Sequence, residues 1–164
     1  MTDPAPPPRS SRIAIVCGAS SGLGLATAER LRVGGVEVVA VARNAEALET
    51  EARRIGAVPV VADLAGNGAV ERIVDYTAGR FGGIDIVVWK TGGPRPGSAL
   101  QVTEHDAESA FRSILLPLVR LAGAAVPHLK ASAAGRFVAI TASTVKEPTS
   151  QVAVSSLVRP GVAG

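Results

Sequence analysis

A doubly wound parallel α/β sheet of about five strands is the fold class that the sequence predicts, and three features predict it. Short runs rich in Val, Ile and Ala alternate with segments of helical periodicity from residue 12 onward. Those runs are apolar throughout and do not alternate with polar residues, which suits strands covered on both faces. Aromatic residues make up only 3% of the chain against 47% hydrophobic residues, so small aliphatic side chains must fill the interior. Strand–helix–strand units cross over right-handedly, and such sheets place ligands at the carboxyl ends of their strands.

The elements follow in order. Residues 12–17 form the first strand, and a helix over 23–32 is closed by Gly34 and Gly35. Residues 37–41 form the second strand; Asn44 then caps a helix to about Ile55, which Gly56 ends. The third strand is 58–62. The next helix, Ala69–Phe81, carries Val70, Ile73, Val74, Thr77 and Phe81 on one face and stops at Gly82 and Gly83. Residues 84–89 form the fourth strand. Thr103, with Asp106 as its capping-box partner, starts a long helix to about Lys130; Pro117 inside it should kink or split it. The fifth strand is 137–141, and a last helix starts near Val152 and is cut off by Pro160 and Gly161. No internal repeat and no second domain is visible. Residues 12–164 are read as one domain.

Composition excludes several classes. The formal charge is +3 with no dense Lys/Arg block, so nucleic acid is not an expected partner. One cysteine, Cys17, rules out an intramolecular disulfide, which is consistent with a reducing, cytoplasmic setting. Residues 1–11 hold Asp3, Arg9 and several prolines before any apolar stretch, so they read as a disordered Pro-rich tail and not as a signal peptide. The run 13–17 is too short to cross a membrane. No membrane partner and no metal site are expected.

The string Cys17-Gly18-Ala19-Ser20-Ser21-Gly22-Leu23-Gly24 joins the first strand to the first helix. Gly18 permits a tight turn, Gly22 lets the backbone approach a phosphate, and Gly24 allows close helix–strand packing. A helix N-terminus presents unpaired N–H groups and partial positive charge, which suits a diphosphate. This segment resembles the coenzyme motif of the short-chain dehydrogenase/reductase family, T-G-x-x-x-G-[IL]-G, with Cys17 in place of the threonine. Cys17 itself reads as a small buried strand-end residue. The resemblance implies a Rossmann-like fold with Gly18, Ser20, Ser21, Gly22, Leu23 and Gly24 against the cofactor.

The second strand ends Val41-Ala42-Arg43-Asn44, without the acid that bonds a ribose 2′-hydroxyl in NAD sites. Arg43, helped by Ser20 or Ser21, instead suits a 2′-phosphate, so NADP(H) is expected in preference to NAD. A solvated loop arginine is the alternative. In the resembling family an aspartate after the third strand contacts the adenine amine, which implies that role for Asp63 with Leu64 lining the pocket; a helix-capping Asp63 is the other reading.

The family's fourth strand ends N-N-A-G, whereas this one ends Trp89-Lys90-Thr91-Gly92. Gly92 keeps the close approach. Lys90 reads either as a phosphate or ribose ligand or as a solvated turn residue. The Thr91-Gly92-Gly93-Pro94 string resembles an atypical, 3-oxoacyl reductase-like branch of the family. The family's catalytic set is Asn, Ser, Tyr and Lys. The fifth strand aligns on Gly135-Arg136-Phe137-Val138, which resembles the family's G-R-I-V. That puts Ala142 at the serine position, with Ser143 one residue away. Ser155 then takes the tyrosine position, Arg159 the lysine position and Ile114 the asparagine position. The Ser-x-x-x-Arg variant recurs in the atypical branch. A serine hydroxyl is a weaker acid than a phenol, and arginine holds an anion but does not relay a proton. Ser143, Lys90, Lys146 or a water remain open as the general acid. His105 and His128 read as surface residues at the two ends of the long helix.

The resemblance runs to Gly164 and stops where a family member continues, so a C-terminally truncated product or fragment is expected, with the fifth strand as a sheet edge. The resemblance implies an NADP-dependent oxidoreductase exchanging hydride with a carbonyl or alcohol of a small-molecule substrate. A catalytically silent nucleotide-binding protein and a non-functional fragment are the alternatives. It also implies a homo-oligomer through the helix of residues 104–130.

Overall fold

The computed structural model describes residues 11–164, so the Pro-rich tail expected over 1–11 lies, apart from Ser11, outside the described residues. Five strands form one parallel sheet: β1 (Ile13–Cys17), β2 (Glu37–Ala42), β3 (Val58–Val61), β4 (Ile86–Trp89) and β5 (Arg136–Ala139). Their order is β3-β2-β1-β4-β5, so the chain starts at the centre, winds out to one edge and then returns to wind out to the other. Ile15 of β1 pairs with Val39 of β2 and with Val87 of β4, which locates the switch in strand order beside β1.

Alternate side chains of the central strands enter two separate cores. Ala14, Val16, Val38 and Ala40 pack with Ala28, Leu48 and Ala52, from α1 (Gly22–Val33) and α2 (Ala45–Ile55). Ile15, Cys17, Val39 and Val41 face the other way, onto Val70, Ile73 and Val74 of α3 (Ala69–Phe81). Leu121 and Ala125 of α5 (Leu116–Ala131) complete that second core. Burial on both faces explains the unbroken apolar runs in the sequence. β5 is an edge strand, as expected, and β3 is the other edge.

Local chemistry sets the helix ends. The Asn44 side-chain oxygen accepts the Ala47 N–H at 3.1 Å, and Gly56 closes α2 at φ +69. Thr103 and Asp106 form the expected capping box at the start of α4 (Glu104–Ala110). Strand boundaries differ by a few residues from expectation. β4 begins at Ile86, because Ile84 and Asp85 are buried but lead into the strand before its ladder starts.

The long helix is divided as expected, though just ahead of Pro117 and not at it. The chain passes from α4 through one π-helical turn, Phe111–Leu115, into α5. There the Leu116 N–H reaches back to the Phe111 carbonyl, an i→i−5 bond that moves the register just ahead of the proline and leaves Pro117 in the first turn of α5. The run Glu104–Ala131 is long and apolar enough to cross a bilayer, and one side of it packs into the core through Ala110, Ile114, Leu121 and Ala125. Pro160 and Gly161 do not cut off the last helix in the expected way. After α6 (Ala153–Val158), Pro160 occupies the first position of a further short helix, α7 (Pro160–Ala163). Proline is tolerated there because the first helical N–H has no partner to lose.

Candidate functional site

The elbow between β1 and α1 is built from backbone. Gly18 has φ +64, and a Cβ there would lie 2.8 Å from both the Lys90 carbonyl oxygen and its Cδ. A Cβ on Gly24 would strike the Gly18 carbonyl oxygen, so the helix packs onto the turn only because both residues lack side chains. Ser21 is extended and precedes α1 without a side-chain capping bond, which leaves the first-turn amides to a ligand. The Ala19 N–H donates to the Val41 carbonyl at 3.1 Å and fastens the elbow to β2.

These residues open on a cleft of about 1000 Å³ at the carboxyl ends of the strands. The elbow contributes Gly18, Ser20 and Ser21; the segment after β2 contributes Arg43, the segment after β3 Asp63 and Leu64, and the segment after β4 Lys90 and Gly92. The volume is that of a site for a large organic ligand. Gly22, Leu23 and Gly24 do not line the cleft; Gly22 and Leu23 are exposed and Gly24 is buried. Arg43 is exposed and forms no ion pair among the described residues. Lys90 is half-buried and lays its methylene stem across Gly18.

Asp63 does not cap a helix. Its Oδ1 accepts the Ala65 N–H at 3.1 Å and its carbonyl accepts the Gly66 N–H at 2.9 Å, so it shapes its own turn, while Gly68 precedes α3. Leu64 is half-buried against the second core. Under the elbow, Cys17 is fully buried and burial pushes its thiol up to about 12, which keeps it protonated and unreactive.

Part of the cleft wall was not anticipated from the sequence. His105, Ser109 and Ser113 line it from the α4 side, together with Asp106 and Arg95. Their spacing of four residues on one helix face was the available signal. The Asp106 carboxyl is held below its ordinary range by the Thr103 hydroxyl and the Thr103 amide, and also by the charges of His105 and Arg95.

The catalytic positions fall outside this lining. Arg159 and Ser155 meet, the Arg159 Nε donating to Ser155 Oγ at 3.1 Å, but neither lines the cleft; their neighbour Val154 does. Ser143 is exposed at the head of the 3-10 turn Ser143–Val145, its carbonyl accepts the Lys146 N–H at 2.9 Å, and no hydrogen bond joins it to Ser155 or Arg159. Of the three expected catalytic positions, Ser155 and Arg159 are thus brought together, and Ser143 lies apart from them. Ile114, at the asparagine position, is buried in the π turn.

Three comparisons bear on this geometry. The model of the short chain dehydrogenase family matches residues 12–156. An uncharacterized oxidoreductase of Mycobacterium tuberculosis (strain CDC 1551 / Oshkosh) is 50% identical over 60 residues, 37% of this chain and 24% of that protein. A second from the same strain is 30% identical over 139 residues, 82% of this chain and 53% of the relative, so the chain spans about half of that protein's length. Among solved structures, a short chain dehydrogenase from Burkholderia cenocepacia J2315 in complex with NADP superposes with a TM-score of 0.85 at 28% identity, covering 94% of this chain and 64% of that one.

Proposed function

The chain belongs to the short-chain dehydrogenase family, and on that premise we propose that it binds NADP(H) in this cleft and serves an oxidoreductase reaction on a carbonyl or alcohol. The observation that carries the reading is the union, on one cleft, of an uncapped α1 N-terminus behind the Gly18 elbow with Arg43 at the end of β2. The elbow amides suit a diphosphate, and an unpaired arginine where NAD sites carry an acid suits a 2′-phosphate. The Burkholderia relative's complex with NADP supports the same choice. When bound, the dinucleotide supplies or accepts the hydride. This chain's residues would hold it: Ser20 and Ser21 beside the phosphates, Asp63 and Leu64 around the adenine, Gly92 against its backbone side. Of the candidates for moving a proton to the substrate oxygen, Lys90 alone among Lys90, Ser143 and Lys146 lines the cleft, which favours Lys90 or a water it holds.

A second reading is a nucleotide-binding protein without turnover. It is favoured by the withdrawal of Ser155 and Arg159 from the cleft lining. Titration with NADPH and NADH, followed by NADPH oxidation over a panel of ketones, separates the readings. Turnover supports the first and binding without turnover the second; no binding of either dinucleotide would sink both. Association through the helix of residues 104–131 is a further proposal, supported by exposed Phe111, Val119 and Val126, and sedimentation velocity tests it.

A further inference from the structure

Arg159 carries a charge that nothing in the described residues balances. The residue is only 9% exposed, and a cation on so buried a side chain favours an acceptor facing it. One donor, Nε, meets Ser155 Oγ at 3.1 Å; no carboxylate pairs with the rest. Its Nη2 lies against Gly93, where an added Cβ would stand 3.5 Å from it. Gly93 lines the cleft, so the cation sits immediately behind a wall made of two side-chain-free residues, Gly92 and Gly93. Two hydroxyls near this wall have a proton to give. Ser155 accepts from Arg159 with its oxygen and keeps its own proton to give. Thr91 Oγ1, in the same wall, is buried without a partner.

We propose that Arg159 and Ser155 form an oxyanion subsite behind the turn of Gly92 and Gly93, which receives a carboxylate or phosphate group of the ligand. The inference rests on the reading of the cleft given above and deepens it. If the anion belongs to the substrate, the substrate class is an oxo acid or hydroxy acid with an unesterified carboxylate. If it belongs to the dinucleotide, the anion is one of its phosphates. In either case the lysine-to-arginine change at this position exchanges a point charge for a planar fork suited to two oxygens.

The test uses the full chain, with equilibrium titrations of NADPH alone, then of pyruvate, acetoacetate and their methyl esters on the NADP⁺-saturated protein. Arg159→Met is expected to weaken one anionic ligand by roughly tenfold or more. Loss confined to the acids, with the esters unchanged, assigns the site to a substrate carboxylate. Loss of NADPH affinity instead assigns it to a dinucleotide phosphate. Arg159→Lys should recover part of the loss. If Arg159→Met does not fold by circular dichroism, Ser155→Ala and Arg159→Lys serve in its place, each with a smaller loss for the same ligand. Unchanged binding of both acids and NADPH in the folded variants overturns the proposal. A wild-type chain that binds the acids through Arg159 but binds no dinucleotide would remove the cofactor reading and keep the subsite.

Discussion

The Ser132 hydroxyl donates to Asp85 Oδ1 at 2.6 Å, while Oδ2 of the same carboxylate accepts the Ile13 N–H at 2.7 Å. One buried side chain thus ties the start of β1 to the α5–β5 connection across the bottom of the sheet, opposite the cleft. Asp85→Ala is expected to cost about 3 kcal/mol, and Ser132→Ala about 1.5 kcal/mol, because hydrogen bonds to a buried charge are among the stronger ones. Urea unfolding of the two variants checks the order. Equal stability of Asp85→Ala and wild type would refute the tie.

The elbow glycines should not be equivalent. Gly24→Ala drives a methyl into the Gly18 carbonyl, whereas Gly22→Ala meets open space and bears only its φ of +54. The second change should cost about 1 kcal/mol, and the first several times more, with loss of dinucleotide binding. Thermal unfolding and NADPH titration of both variants measure this. A Gly24→Ala protein as stable as Gly22→Ala would contradict the packing described.

Arg43→Ala is expected to weaken NADPH by about tenfold or more and to leave NADH nearly unchanged, since only the former carries the 2′-phosphate. Parallel titrations of the two dinucleotides decide it, and an equal loss for both would assign Arg43 another role.

Burial raises the Cys17 thiol from 9.0 to about 12. The sign follows from linkage: the raised folded value contributes stability that is complete below pH 9.0 and drains away as pH climbs toward about 12. Cys17→Ala should therefore flatten the alkaline limb of a stability–pH curve. The native thiol should also resist disulfide reagents at neutral pH and react on unfolding. Rapid labelling of folded protein would count against its burial.

The Asp106 carboxyl is lowered by its bonds to Thr103, so its contribution is present above the ordinary carboxylate value and is lost as pH falls through the lowered folded one. A carbon-detected NMR titration should show Asp106 titrating below an ordinary aspartate, and Thr103→Val should move it back up. Being fully exposed, the group should affect the local helix end and leave global unfolding almost unchanged.

The parts of this molecule written in local chemistry were legible in the sequence. Asn44, Gly56, Thr103 and Asp106 act where they stand, Gly18 and Gly24 encode close backbone contacts that a side chain would block, and Gly22 encodes a positive φ. What was not legible depends on neighbours distant in sequence. Pro117 announces a broken bond but not that a π turn ahead of it will absorb the defect. Ser155 and Arg159 occupy the expected helix, yet their removal from the cleft lining is decided by how α6 lies against the segment after β4. Pro160 is read equally well as an ending or a beginning, and only the turn after α6 chooses.

The bond from Ala19 to Val41 has a mechanical meaning. Val41 lies two positions before Arg43, so the amide loop and the arginine are mounted on the same rail. The position that would choose between the two dinucleotides is thus fixed in space relative to the loop that would hold the diphosphate common to both.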